Sequence, residues 1–222
     1  MCLEKREELQ IGSETLVSPS NLKKLTKQEQ QTKDNLQEYK NWLLNLKILD
    51  PACGSGAFLN QALEYLISEH KNLQNDLALM GDLFASYMVE EEILEHNLYG
   101  VDINEDAVEI AKLSLWLRTA KRGRPLTKLA DKIVCANSLL EMPFSENSFD
   151  VVIGNPPYVG EKGHADIFES LKKVPKWAEY YRRRSNTYYF FIKLGAELLK
   201  NNGLQSLIIP REFVSADWAN KV

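Results

Sequence analysis

The feature that most constrains the fold is an alternation, beginning at Leu46, of short apolar runs with longer segments of helical periodicity. The longer segments repeat apolar residues at intervals of three and four, as in Leu59, Leu63 and Leu66. Repeated strand–helix–strand units predict an α/β fold with a parallel sheet and helices on both faces. The predicted strands are Lys47–Leu49, Leu98–Val101, Lys132–Cys135, Asp150–Ile153 and Leu204–Ile209.

The residues ahead of this pattern differ from the rest of the chain. Residues 1–46 are polar and rich in Gln, Lys and Glu, and one helix is predicted from about Asn21 to Leu46. We therefore divide the chain into an N-terminal helical extension, 1–46, and a core, 47–222. A further acidic helical insertion is predicted at Asn75–Glu95.

Composition excludes several classes of protein. Apolar residues make up 44% and charged residues 26% of the chain, which is ordinary for a soluble globular protein and excludes a disordered one. There is neither an apolar run of the roughly 20 residues that span a bilayer nor an apolar signal region, so a cytoplasmic location without membrane association is expected. The cysteines Cys2, Cys53 and Cys135 lack metal-ligand spacing, and no metal site or disulfide framework is predicted.

The charge is unevenly distributed around a net value of −4. Residues 76–111 carry ten acidic side chains and no Lys or Arg, whereas residues 161–200 carry nine basic and five acidic side chains. The second region could receive a polyanion and the first would repel one, although charge runs are usually solvated surface.

The first strand is followed by the turn Asp50-Pro-Ala-Cys-Gly-Ser-Gly56. Gly54 and Gly56 allow a ligand to approach the backbone closely, and a tight strand-to-helix turn would need them equally. A third glycine would complete a dinucleotide fingerprint, but Leu59 stands there and no acid follows at the expected distance. A nucleoside cofactor without a diphosphate fits better than NAD.

Two polar positions follow the next strands. Asp102 can accept both hydrogen bonds of a ribose diol, and Asn104 is the better candidate for capping the following helix. Asn137 can offer a donor and an acceptor to an adenine edge, but Asn137-Ser138 is equally plain turn chemistry.

The fourth strand runs into Asn155-Pro-Pro-Tyr158. Consecutive prolines make this loop rigid and leave the Pro156 carbonyl without a ladder partner. The Asn155 amide oxygen, the Pro156 carbonyl and the Tyr158 ring then suit a planar substrate that bears an NH₂ group. The alternative is a strand stopped by proline with a packed tyrosine.

Together the two loops resemble the motifs of S-adenosylmethionine-dependent methyltransferases, and their order is that of the gamma class of adenine-N6 DNA methyltransferases. The chain is most similar to the modification parts of type IIG restriction–modification enzymes and BREX-type phage-defence methyltransferases. The resemblance covers about three quarters of the chain. It implies a Rossmann-like methyltransferase fold, S-adenosylmethionine as cofactor, and a site-specific DNA methyltransferase of a restriction–modification or phage-defence system.

The resemblance also implies roles for single residues. Asn155 and Pro156 would accept hydrogen bonds from the target amine and Tyr158 would stack on the adenine, which must be flipped out of double-stranded DNA. The cofactor would be held by Asp50, Ala52, Gly54, Gly56, Asp102, Ile103, Asn137 and Ser138.

The segment 161–184 interleaves basic residues with Trp177, Tyr180 and Tyr181 beside the predicted catalytic loop. This arrangement favours DNA contact over an exposed amphipathic helix. The basic residues predicted to bind DNA are Lys172, Lys173, Arg182, Arg183 and Arg184.

The chain departs from the family where it begins and ends. An element that closes over the cofactor is poorly matched before Asp50, the C-terminal hairpin should follow Pro210, and the target-recognition domain is missing. We therefore expect a truncated chain, or one completed by a partner, with little sequence-specific activity alone. The alternatives are a glutamine-N5 or rRNA guanine-amine methyltransferase, and an inactive cofactor-binding remnant.

Overall fold

The computed structural model describes residues 1–12, 14–16, 19, 25–82, 89–119, 128–211 and 213. Its helices are α1 (Cys2–Glu8), α2 (Lys27–Asn45), α3 (Ala57–Leu79), α4 (Val89–His96), α5 (Glu105–Thr119), α6 (Ala165–Lys172), α7 (Pro175–Tyr180) and α8 (Thr187–Leu198). Its strands are β1 (Ile48–Asp50), β2 (Leu98–Asp102), β3 (Ile133–Cys135), β4 (Phe149–Gly154) and β5 (Leu199–Leu207).

The five strands form one parallel sheet in the order β3-β2-β1-β4-β5, which confirms the predicted α/β fold. Each predicted strand has a counterpart close to its expected bounds. The exception is β5, which begins at Leu199 because Leu199 pairs with Phe149 before a register shift. The polar residues that separate Leu199 from Leu204 concealed this first part of the strand.

The strand order reverses between β1 and β4. The helix α5 packs against β2 and β3, and α8 packs against β4 and β5. Because crossovers between parallel strands are right-handed and these two lead to opposite sides of β1, the two helices cover opposite faces of the sheet. Loops on either side of such a reversal diverge and leave a crevice beyond the carboxyl ends of the strands. The fold therefore places a ligand crevice between the loops that follow β1 and β4.

A cluster of aromatic and aliphatic side chains packs beside the sheet and forms its core. Phe149 and Val152 contribute from β4, while Trp177 and Phe190 come from the helices that follow. Trp177 and Phe190 meet edge to face with ring centroids 5.7 Å apart. Burying one large apolar side chain contributes about 1.5–3 kcal/mol to stability. The burial of these side chains therefore anchors the segment that follows the fourth strand.

The chain separates into two compact units. One contains residues 47–62 and 98–222, and so holds the whole sheet. The other joins Met1–Leu46 to Leu63–Asn97. The sequence interpretation included residues 63–97 in the core range, whereas most of α3 and all of α4 belong with the N-terminal helices. Helical periodicity shows that a helix has an apolar face, but it does not show which part of the protein that face packs against.

The unit of N-terminal helices has its own polar cluster. Arg6 donates to Glu69 at 2.7 Å and to Asp76 at 3.0 Å, and the Tyr39 hydroxyl also donates to Glu69. Burial opposes the charge of Arg6, but its bonds to the two carboxylates raise its pKa overall. The predicted helix of this unit begins at Lys27, where Thr26 forms a capping box with Glu29.

Several predictions fall outside what the structure describes. Residues 21–24, 83–88 and 214–222 are not described, and with them go the start of the predicted N-terminal helix, part of the acidic insertion and the expected place of a C-terminal hairpin. Over the described ranges, no helix has both the length and the apolar content of a membrane span. The same ranges hold no group of three or more His, Cys, Asp or Glu side chains able to bind a metal ion.

Candidate functional site

A cavity of about 400 Å³ opens at the carboxyl ends of the strands. This volume lies within the range of small-molecule and cofactor sites. Residues from all four predicted loops line it together with side chains from α6 and α8. They are Pro51, Ala52, Asp102, Ile103, Ala136, Asn137, Ser138, Leu139, Asn155, Pro157, Val159, Ile167, Thr187 and Phe191.

The glycine turn after β1 is held in a conformation that favours glycine. Gly54 has φ +51° and Gly56 has φ +85°, both in the left-handed region. A Cβ atom at Gly54 would meet nothing within 4 Å, so this backbone is open to a ligand. A Cβ at Gly56 would lie 3.1 Å from the Cβ of Ala111, and Gly56 therefore serves the close packing of α5.

The Asp102 carboxylate links two loops at the cavity wall. Its Oδ2 accepts a 2.7 Å hydrogen bond from the Gly54 amide, and its Oδ1 accepts one of 2.9 Å from the Asn104 amide. Asn104 accepts from the Ala107 amide in the first turn of α5, so it is Asn104 that caps the helix, as expected. The next side chain, Ile103, is 69% exposed and gives the cavity an apolar edge.

Asp50 lies at the end of β1 and is 1% exposed. Its Oδ1 accepts a 3.0 Å hydrogen bond from the Ala52 amide, while its buried Oδ2 has no hydrogen-bond partner within the described part of the chain. Burial raises the pKa of Asp50 to about 7, and the negative charge of Asp102 adds to the rise while the Ala52 bond opposes it. Asp50 is therefore a carboxyl group whose charge lacks compensation.

Asn137 and Ser138 both line the cavity and both stabilise the loop after β3. The Oδ1 of Asn137 accepts from the Leu139 amide at 3.1 Å, which is turn chemistry. The buried Ser138 hydroxyl donates to the Pro51 carbonyl at 2.5 Å and so joins the loops after β1 and β3. The turn chemistry is confirmed at Asn137, and the role of Asn137 and Ser138 toward an adenine stays a prediction.

The Asn155-Pro-Pro-Tyr corner places Asn155 at the cavity and Pro156 in the interior. Among the described residues, the Pro156 carbonyl accepts no backbone hydrogen bond. Tyr158 is 45% exposed, and its Oη lies 2.5 Å from Asn155 Oδ1 and 2.7 Å from the Ile208 carbonyl oxygen. Tyr158 itself does not line the cavity, and neither do Asp50, Gly54, Gly56 and Pro156.

Thr187, the first residue of α8, forms hydrogen bonds that hold the Asn155-Pro-Pro-Tyr corner in place. Its hydroxyl donates to the Pro157 carbonyl and accepts a 3.1 Å hydrogen bond from the Val159 amide. Its own amide donates to the Val159 carbonyl at 2.9 Å. Sequence reasoning missed Thr187 because the three contacts link residues about thirty positions apart. The one local signal is Asn186, whose side chain caps α8.

Some basic side chains of the segment 161–184 are exposed, and others form ion pairs or hydrogen bonds within the protein. Arg183 and Arg184 are exposed and border a depression with Lys162 and Glu161, whereas Lys172 is paired with Glu169. The Glu161 carboxylate accepts from the Tyr181 hydroxyl and the Arg184 amide, and these hydrogen bonds lower its pKa.

The prediction that Trp177 contributes to a DNA-contacting surface is wrong. Trp177 is fully buried, and its indole N–H donates to the Leu139 carbonyl at 2.5 Å. Trp177 lies on the side of α7 that packs into the apolar core. The sequence does not show whether an aromatic residue between basic residues faces the core or the solvent.

Comparison with protein families gives one assignment, which covers the whole second half of the chain and begins somewhat before it. The family described as Eco57I restriction-modification methylase matches residues 96–222, which is more than half of the chain. The match includes the loops after β2, β3 and β4, and so takes in Asp102, Asn137 and Asn155.

Individual relatives extend the similarity toward the N-terminus. The chain is 27% identical over 218 residues to the type II restriction enzyme and methyltransferase RM.Eco57I of Escherichia coli, covering 81% of this chain and 21% of that protein. It is 30% identical over 172 residues to DNA methyltransferase A of Bacillus subtilis (strain 168), covering 66% of this chain and 19% of that protein. The chain thus spans about a fifth of the length of these relatives.

A solved structure shares the fold. The type IIL restriction-modification enzyme MmeI, determined in complex with DNA, superposes with a TM-score of 0.58 at 18% identity. The similarity covers 89% of this chain and 26% of the MmeI chain. It confirms the predicted Rossmann-like methyltransferase architecture.

Proposed function

Because the chain belongs to the Eco57I restriction-modification methylase family, we propose that it provides the catalytic core of a restriction–modification DNA methyltransferase. The proposed methyl donor is S-adenosylmethionine, and the proposed acceptor is the exocyclic N6 of adenine. One observation carries the proposal: Asn155 lines the same cavity as Ala52 and Asp102, so an amine acceptor and a nucleoside site share one space.

The residues present fit S-adenosylmethionine. The buried Oδ2 of Asp50 has no partner among the described residues, and the α-ammonium of a methionine group would supply the missing positive charge. A side chain at Gly54 would meet no atom within 4 Å, which leaves room for a ligand, and Asp102, which lines the cavity, would accept hydrogen bonds from the ribose hydroxyls. The proposed cofactor residues are Asp50, Ala52, Gly54, Gly56, Asp102, Ile103, Asn137 and Ser138. The bound cofactor supplies a methyl group activated by a sulfonium.

In the proposed mechanism, Asn155 and Pro156 act on the target amine. The adenine amine is a poor nucleophile because its lone pair is delocalised into the ring. Hydrogen bonds from its two N–H groups to Asn155 Oδ1 and the Pro156 carbonyl would draw the nitrogen toward tetrahedral geometry and return electron density to it. Alignment of this nitrogen with the methyl group would supply much of the remaining rate.

Tyr158 would support the base once it has left the helix. Flipping a base out of a duplex costs a few kcal/mol, and stacking on an aromatic ring offsets about 1–3 kcal/mol per base. The partial exposure of Tyr158 and its place three residues after Asn155 support this role.

We further propose that double-stranded DNA lies along the basic segment. Arg183 and Arg184 are the best candidates for phosphate contact because both are exposed beside the catalytic loop. Lys173 is exposed as well, whereas Lys172 is paired with Glu169 and Arg182 donates to two backbone carbonyls. Recognition of a particular DNA sequence would require residues beyond these. The proposed DNA substrate and the three free cysteines favour a cytoplasmic location.

Product analysis tests the proposal. The protein is incubated with radiolabelled S-adenosylmethionine and one acceptor at a time. The acceptors are duplex DNA, rRNA and a peptide-chain release factor, and each is then digested and analysed by mass spectrometry. We expect N6-methyladenine in DNA. Methylglutamine or methylguanine as the product would contradict the proposal in favour of the other amine methyltransferases, and absence of cofactor binding would favour an inactive remnant.

A further inference from the structure

The hydroxyl of Tyr158 lies between two oxygen atoms. Its Oη is 2.5 Å from Asn155 Oδ1 and 2.7 Å from the Ile208 carbonyl oxygen. A phenol hydroxyl carries one proton, so it can donate to one of these oxygens and must turn a lone pair toward the other. Two oxygens in contact without a proton between them repel each other, and only one of the two contacts is favourable in this arrangement.

A half-turn of the Asn155 amide removes the conflict. The turn exchanges Oδ1 and Nδ2, which have almost the same shape but opposite hydrogen-bonding character. Asn155 Nδ2 then donates to Tyr158 Oη, and Oη donates to the Ile208 carbonyl. Both short contacts become hydrogen bonds, and Asn155 Oδ1 is released from the tyrosine.

We infer that Tyr158 is a positioning residue, whose hydroxyl, anchored on the Ile208 carbonyl, selects the Asn155 amide orientation that presents Oδ1 to the amine of the target base. This inference rests on the proposed function and adds to it. The stacking role belongs to the ring of Tyr158, whereas the positioning role belongs to its hydroxyl, and the two can be separated by mutation.

The anchor is well placed to fix the amide. The Ile208 amide donates to the Gly154 carbonyl at 2.9 Å, which holds Ile208 against the residue that precedes Asn155. The Tyr158 ring packs edge to face against Tyr188, with centroids 5.9 Å apart. The Ile208 carbonyl is therefore attached to the sheet and the Tyr158 ring to α8, and the hydroxyl has little freedom to follow a turning amide.

Amide orientation decides whether Asn155 can act. With Nδ2 toward the base, donor would face donor and the target amine would lose one of its two acceptors. A hydroxyl that excludes this orientation keeps the acceptor in place before the substrate arrives, which is the sense in which a site is preorganised.

Nuclear magnetic resonance of the full chain tests the orientation without any need for activity. Asparagine is labelled with ¹⁵N and ¹³C, and the Asn155 side-chain signals are identified by their loss in Asn155→Asp. We expect Tyr158→Phe to shift one Hδ2 proton of Asn155 upfield and to leave its ¹³Cγ nearly unchanged, because Nδ2 loses an acceptor. A shift of ¹³Cγ without a shift of either Hδ2, or no shift at all, would overturn the inference.

Methyl-transfer kinetics provide the second readout. Tyr158→Phe keeps the ring, so we expect the KM for DNA to be unchanged and the rate constant at saturation to fall roughly tenfold, which is the effect of one net hydrogen bond. An unchanged rate constant would overturn the inference. Tyr99→Phe is the matched control, since it removes a hydroxyl that accepts from Lys132, away from the corner. A wild-type protein that methylates no DNA would contradict the proposed function alone, because the amide signals still decide the orientation.

Discussion

The carboxylate of Asp102 and the backbone amide of Gly54 are joined by a 2.7 Å hydrogen bond that ties the end of β2 to the glycine turn after β1. The same carboxylate accepts from the Asn104 amide at the start of α5. The Asp102 side chain thus holds the glycine turn and also lines the cavity. We therefore expect its removal to lower the affinity for the cofactor more than it lowers the free energy of unfolding.

We predict that Asp102→Ala weakens S-adenosylmethionine binding by about tenfold to a hundredfold, because charge-assisted hydrogen bonds are worth about 1.5–3 kcal/mol. Isothermal titration calorimetry measures the Kd. The control is Asp150→Ala at the opposite end of the sheet, where Asp150 accepts from the Lys47 amide and from Lys200. Equal loss of affinity in both variants would contradict a cofactor role for Asp102.

The buried carboxyl of Asp50 predicts a pH dependence of stability. Its pKa is raised from 3.8 to about 7 in the folded protein, first by burial and then by the charge of Asp102. Between these values the folded state holds a proton that the unfolded state has released, so stability is full below pH 4 and falls as the pH rises toward 7. Asp50→Asn keeps the shape without the charge.

Chemical denaturation of the ligand-free protein from pH 4 to 8 checks this. We expect Asp50→Asn to gain stability relative to the wild type as the pH rises through this window, by an amount of the order of a few kcal/mol. A difference between the two proteins that is constant with pH would show that the pKa of Asp50 is not raised by folding, and a difference that changes in the opposite direction would show that it is lowered. Either result would contradict the prediction.

Gly154 immediately precedes the Asn155-Pro-Pro-Tyr corner, and we predict that it tolerates no side chain. Its φ is +153°, and an added Cβ would lie 2.5 Å from Asp50 Oδ1. Gly154→Ala should lower the free energy of unfolding by more than about 1 kcal/mol. The control is Gly160→Ala, where the nearest atom would be 3.9 Å away. Thermal unfolding measures both, and similar losses would argue against a strained contact at Gly154.

The exposed arginines beside the corner should set the salt dependence of DNA binding. Replacing Arg183 and Arg184 together by alanine is expected to reduce the slope of log K against log salt concentration by about two, one for each lost phosphate contact. Fluorescence anisotropy with a labelled duplex measures the slope. The exposed residues Lys27 and Lys71, replaced together, form the matched control, and an equal reduction in that pair would mean non-specific attraction.

Much of the fold could be predicted from the sequence because each of the strands β1 to β4 is a short, mostly apolar run with a polar residue at its carboxyl end or within two residues of it. Parallel strands bring those ends together, which is why Ala52, Asp102, Asn137 and Asn155 share one cavity. A local pattern could therefore identify residues that meet only in the folded protein.

Other features lay beyond any local pattern. Thr187 acts through contacts with Pro157 and Val159, which depend on how α8 packs against the corner. The burial of Trp177 depends on the direction in which a short helix faces, and α7 has only six residues to show it. Long-range packing, rather than residue type, determined both outcomes.

The rate of methyl transfer by Asn155→Ala tests the central claim most directly. Single-turnover transfer from S-adenosylmethionine to duplex DNA is measured for the wild type and the variant, with the cofactor Kd determined for each. We predict that the wild type forms N6-methyladenine and that the variant is slower by about a hundredfold or more, with cofactor binding retained, because it lacks one of the two acceptors that activate the amine. A variant that transfers the methyl group as fast as the wild type, or a wild type that forms no N6-methyladenine in DNA, would contradict the account.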